Sequence, residues 1–118
     1  MIRIRYDREG DEHTLTASGH AGAESYGRDI VCAAVSALVY TLAQAMGDAE
    51  EDGRLTEFSY TLDSGDAVIR ATPADFAQES VDAAVETVVT GLRMIAERYP
   101  EFVRMDEQSG GTEWPRTL

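Results

Sequence analysis

The sequence predicts an α+β fold, a two-layer sandwich in which a mainly antiparallel sheet carries two helices on one face. Three observations carry that expectation. Short segments alternate apolar and polar residues with a period of two, the mark of half-buried strands. Two long segments instead repeat their apolar residues at helical spacing. Turns rich in glycine and aspartate join the short segments in pairs. The order reads β-β-α-β-β-α with a short extra strand, and no linker divides two cores.

Ile2, Ile4 and Tyr6 alternate with Arg3 and Arg5 in the first strand. Asp7, Arg8, Glu9, Gly10 and Asp11 make a polar turn. The second strand covers residues 12–20, with Leu15, Ala17 and Gly19 on one face and Thr14, Thr16, Ser18 and His20 on the other. His13 opens this strand on the Leu15 side and reads as structural. Residues 21–28 form a loop whose Gly22 and Gly27 free the backbone on either side of Glu24, Ser25 and Tyr26. It suits a lid over a site, or an ordinary connection.

The first helix is expected from Asp29, as N-cap, to about Met46, with Gly47 as its C-terminal cap. Val31, Val35, Leu38, Val39, Leu42 and Met46 fall on one stripe, and Ala33, Ala34, Ala37 and Ala45 give a surface of small residues. Cys32 and Ser36, four residues apart, stack at the rim of the bulky stripe. After an acidic linker at 48–53, a strand at 54–62 puts Phe58, Tyr60 and Leu62 on one face. Asp63, Ser64, Gly65 and Asp66 signal a tight turn into a strand at 67–71. Thr72 as N-cap and Pro73 at the first position open the second helix, which runs to about Tyr99 before Pro100. Its apolar face holds Val81, Ala84, Val85, Val88, Leu92, Ile95 and Tyr99, and Gly91 points to close packing. A short strand at 102–105 follows. Residues 1–106 are then one domain and residues 107–118, including Trp114, a polar tail.

The chain of 118 residues suffices for one core without staples. Its single cysteine excludes an internal disulfide. No basic segment followed by an apolar run opens the chain, and no continuous apolar run reaches the ~18 residues of a membrane span, so the expected address is the cytoplasm. The formal charge of −12 disfavours direct nucleic-acid binding and favours a basic protein or peptide partner.

The stretch around Cys32 is where chemistry is concentrated. A thiol reacts as thiolate, and the free N–H groups of a helix start stabilise that anion. His20 ends a strand beside this helix and is placed to act as base and then as acid toward a leaving amine. The same N–H groups offer an oxyanion site. Asp29 either caps the helix or orients His20, and Ser36 sits one turn on. On pattern alone, Cys32 also reads as a small buried hydrophobe and His20 as polar surface. A zinc site from His13, His20 and Cys32 has no fourth ligand at a known spacing, and no metal or other cofactor is expected. The glycines fit neither a phosphate-binding loop nor a serine-hydrolase elbow.

Gly19-His20-Ala21, followed by Gly27-Arg28-Asp29-Ile30-Val31-Cys32-Ala33-Ala34-Val35-Ser36-Ala37-Leu38, resembles the ribosomal-processing cysteine protease family, Prp or YsxB-like. Beyond Met46 only the layout of elements supports the likeness. The resemblance implies Cys32 as nucleophile and His20 as general base, with Gly19, Asp29 and Ser36 as supporting positions. It implies that the loop bearing Gly22, Tyr26 and Gly27 is a mobile segment over the site. It further implies a cytoplasmic homodimer that binds the N-terminal peptide of the bacterial large-subunit ribosomal protein twenty-seven and removes a short extension after an aromatic residue; the charge and the lack of a long apolar run add the expectation of no nucleic-acid and no membrane partner. Two rivals share the same residues: a non-catalytic assembly factor, and a thiol hydrolase of small esters or thioesters.

Overall fold

The computed structural model describes residues 1–19, 26–63 and 65–110. Strands β1 (Ile2–Glu9) and β2 (Glu12–Ser18) precede helix α1 (Tyr26–Glu51). Strands β3 (Leu55–Asp63) and β4 (Asp66–Pro73) follow, then a 3-10 turn (Asp75–Ala77), helix α2 (Gln78–Arg98) and strand β5 (Val103–Gly110). The five strands lie in the order β3-β4-β2-β1-β5. Neighbours are antiparallel except β1 and β5, which pair in parallel. The expected α+β sandwich is the observed one.

Strand periodicity explains the layers. Ile2, Ile4 and Tyr6 on β1, Leu15 on β2, Ile69 and Ala71 on β4 and Val103 on β5 are buried on the helix side. They join one core with Val31, Val35, Val39, Leu42 and Met46 of α1 and with Val81, Val85, Val88 and Leu92 of α2. A side chain such as Leu92, wholly removed from water, contributes about 1.5–3 kcal/mol. Leu38 is half-buried and reaches α2 at Gly91, where the missing Cβ makes room for it.

Several element ends differ from the sequence expectation. α1 begins at Tyr26 rather than after Asp29, so Tyr26 and Gly27 are helical and Asp29 is inside the first turn. α1 also continues past Gly47 to Glu51, because Ala49 is still buried in the core. The stop is Gly53, at φ 73°. Arg54 N–H bonds Ala49 C=O at 2.8 Å and Gly53 N–H bonds Glu50 C=O at 3.0 Å, a Schellman closure. Thr72 and Pro73 do not start α2. They finish β4, where Pro73 pairs with Leu55 and Thr72 with Glu57, and Ala74 precedes the 3-10 turn instead. β5 runs to Gly110, so residues 107–110 are strand rather than tail. Trp114 lies outside the described residues.

The Ile30–Glu51 segment is long and apolar enough to cross a bilayer by length and composition, although polar residues interrupt its apolar run. In this fold its buried stripe covers the sheet, as in the core helix of a globular domain.

Candidate active site

β2 ends at Ser18, and Gly19 turns the chain away from the sheet at φ 96°. That angle suits glycine. Space demands it too, because a Cβ here would overlap the carbonyl oxygen of Met1. Gly19 N–H donates to Gly65 C=O at 2.9 Å, which fixes the end of β2 to the β3–β4 turn.

A cavity of about 220 Å³ opens at this end of the sheet, beneath the N-terminal half of α1. Ser18 and Gly19 line it from β2, Cys32, Ser36 and Tyr40 from α1, and Leu62 and Asp63 from β3. Its floor is apolar, from Ile2, Val35, Val39 and Leu62. Cys32 is a free, half-buried thiol. Three residues picked from the sequence, Gly19, Cys32 and Ser36, thus share one cavity. His20 and Gly22 lie outside the described residues. Asp29, Tyr26 and Gly27 fall in the first turn of α1.

The helix boundary changes the electrostatics expected at Cys32. With α1 beginning at Tyr26, Cys32 is the seventh helical residue, not one of the first three. The unbonded N–H groups of a helix belong to its first four residues, here 26–29. The amide of Cys32 is therefore in the helical ladder, and the field of the helix end is felt a turn earlier.

Sequence reasoning missed Tyr40, Leu62 and Asp66 as cavity residues. Tyr40 carries a signal that was available: it continues the four-residue stacking of Cys32 and Ser36. Leu62 and Asp66 reach the cavity only through the β3–β4 pairing, which no local pattern discloses.

His13 stands apart from the cavity. Its ring is buried, with Nδ1 2.6 Å from Tyr6 Oη and Nε2 2.6 Å from Asp82 Oδ1. Both nitrogens are thus engaged, which removes His13 as a zinc ligand. Among the described residues no group of three His, Cys, Asp or Glu side chains converges as a metal site.

Comparison with known proteins places these features in a family. The family model for cysteine protease Prp matches residues 1–104. A ribosomal processing cysteine protease Prp from Mycoplasma pneumoniae is 30% identical over 100 residues, covering 81% of this chain and 88% of the relative. The Staphylococcus aureus protein of the same name is 27% identical over 105 residues, covering 89% and 95%. The S. aureus protease with a covalently linked product peptide superposes with a TM-score of 0.68 at 25% identity, covering 91% of this chain and 99% of the other. A crystal structure from Streptococcus mutans gives a TM-score of 0.68 at 29% identity, covering 93% and 96%.

Proposed function

The chain belongs to the cysteine protease Prp family, and from that premise we propose that it removes the N-terminal extension of the large-subunit ribosomal protein twenty-seven with Cys32 as nucleophile and His20 as general base. That the chain is a cysteine protease of the ribosomal-processing family follows from the family match and its named relatives. The substrate and the roles of the two residues are the proposal.

The observation that carries it is the shared cavity. The thiol of Cys32, the backbone of Gly19 and the hydroxyl-bearing Ser36 border one cavity, and Gly19 is bonded directly to His20. In the proposed reaction the imidazole takes the thiol proton and the thiolate attacks the scissile carbonyl. The proton then passes to the leaving amine, and water resolves the acyl-enzyme. Because Cys32 lies a turn inside α1, its activation falls mainly to His20. The apolar floor with Tyr40 at its margin suits an aromatic side chain next to the cut. The charge of −12 suits a basic ribosomal substrate. A homodimer in the cytoplasm completes the reading. The outer side of α1, away from the cavity, supports the dimer, since Ile30 is 52% exposed and the small Ala33 and Ala37 are exposed beside it.

The test is mass spectrometry of a peptide spanning the N-terminus of the organism's own ribosomal protein twenty-seven, incubated with wild type and with Cys32→Ala. One cut after an aromatic residue, lost in the variant, is the expected result. An extension-bearing peptide left intact by wild type overturns the proposal and favours a binding factor.

A further inference from the structure

Among the described residues β3 ends the sheet and pairs with β4 alone, on one side. An open strand edge is a template for another extended chain, and proteins usually guard it with proline, lysine or a bulge. Here the bulge lies between Leu55 and Glu57, at the end remote from Cys32. Residues 58–63 contain no proline and no lysine. Their edge is regular up to the point where Leu62 and Asp63 enter the catalytic cavity.

The register says which groups face outward. Asp63 opposes Asp66 across the turn, and Thr61 opposes Val68. In an antiparallel ladder closed by such a turn, Asp63, Thr61 and Ser59 exchange hydrogen bonds with β4. The N–H and C=O groups of Leu62, Tyr60 and Phe58 therefore turn to the open edge. The side chains of these three residues share the face covered by α1, yet Tyr60 is 56% exposed, its ring 5.4 Å from that of Phe58. Tyr40 of α1, equally exposed, lines the cavity with Leu62 and Asp63. Edge strand and helix thus both border the cavity that holds Cys32, the strand through Leu62 and Asp63 and the helix through Tyr40.

We infer that the β3 edge is the rail on which the protease holds its substrate, an extended basic peptide that adds to the sheet as a sixth strand and delivers its scissile bond to Cys32. Backbone bonds to Tyr60 and Leu62 supply register, and alternate side chains lie toward Tyr40 and Tyr60. Exposed Glu57, Asp63 and Asp66 beside the edge favour a basic occupant. The inference rests on the proteolytic reading above and adds how substrate is held.

Two readouts keep the two ideas apart. Binding is measured with Cys32→Ala by fluorescence anisotropy of a labelled peptide from the N-terminus of ribosomal protein twenty-seven. Single N-methyl groups are placed at successive backbone positions of that peptide. The expected result is a loss of about five- to tenfold in affinity at every second position, the value of one hydrogen bond. On the protein side, Tyr60→Pro removes an outward N–H without a β4 bond, and should weaken binding several-fold more than Tyr60→Ala. Equal sensitivity along the peptide, or equal binding by the two folded Tyr60 variants, overturns the inference. A wild-type dimer that Tyr60→Pro dissociates in sedimentation, with peptide affinity unchanged, assigns the edge to a second copy and also overturns it. Alternating affinity without cleavage by wild type supports the edge while sinking the proteolytic reading.

Discussion

His13 Nε2 lies 2.6 Å from Asp82 Oδ1, and this contact ties β2 to α2 through a ring that is 3% exposed. The partners fix the tautomer. Asp82 accepts from Nε2–H, so Nδ1 accepts from the Tyr6 hydroxyl. Arg8 donates to the other Asp82 oxygen at 2.8 Å and lies 3.6 Å from Glu86. Burial lowers the His13 pKa below its ordinary 6.5, outweighing the Asp82 hydrogen bond and charge, which act upward. Below pH 6.5 the unfolded chain takes up a proton that the folded state resists. Stability is therefore retained above that pH and lost as pH falls below it. Urea unfolding at a series of pH values should show this decline in wild type and a shallower one in His13→Gln. That variant should also lose about 1–3 kcal/mol at neutral pH. Superimposable pH profiles would refute the assignment.

Gly19→Ala should damage both fold and catalysis. The substitution meets a left-handed φ of 96° and the Met1 carbonyl together. A loss of more than about 1 kcal/mol is expected from the backbone alone. Relief of the overlap must shift either β1 or the Gly19–Gly65 hydrogen bond at the cavity rim. Urea unfolding gives the stability change, and peptide cleavage should show a fall in kcat/KM larger than the unfolded fraction explains. Wild-type kinetics in a destabilised variant would contradict the second half of this expectation.

Much of this was legible from local pattern. The alternation of Ile2, Ile4 and Tyr6 and the stripe from Val31 to Met46 report burial directly, because each apolar side chain must leave water on one face. Gly19, Cys32 and Ser36, singled out by the thiol chemistry and the family resemblance within one short stretch, do line one cavity. The element ends were not. Gly47 looks like a cap, but continued burial of Ala49 outweighs the cost of a helical glycine, about 1 kcal/mol. Thr72 and Pro73 look like a helix start, but their pairing with β3 keeps them in β4. Leu62 joins the cavity through a strand pairing, a relation that no local window contains.

The segment 107–110 should matter to stability, although its composition reads as tail. Glu107 receives a two-pronged contact from Arg93 of α2, at 2.8 and 2.7 Å. The strand it belongs to pairs with β1 from Val103 to Gly110. Arg93 is 41% exposed, so solvent screening limits Arg93→Ala to about 1 kcal/mol or less. Truncation after Asp106 removes the backbone pairing of Tyr6 through Glu9 as well and should cost more. Thermal unfolding of the two variants gives the order directly. A truncated chain as stable as wild type would remove residues 107–110 from the fold's essential part.

Gly91 and Leu38 set how closely α1 and α2 approach. A Cβ at residue 91 would sit 3.0 Å from Leu38 Cδ1, tighter than ordinary contact but against the end of a flexible, half-buried side chain. Two effects oppose each other in Gly91→Ala. Helix propensity gains about 1 kcal/mol, and the crowded contact returns a similar amount. Near-neutral stability is expected. Gly91→Val adds two methyl groups against the same neighbour with less propensity gain, and should destabilise by about 1–3 kcal/mol. The decisive measurement is a double-mutant cycle with Leu38→Ala. Once the leucine is shortened, Gly91→Ala should become stabilising, because only the propensity gain remains. If Gly91→Ala has the same effect with and without Leu38, the glycine is not there to admit that side chain.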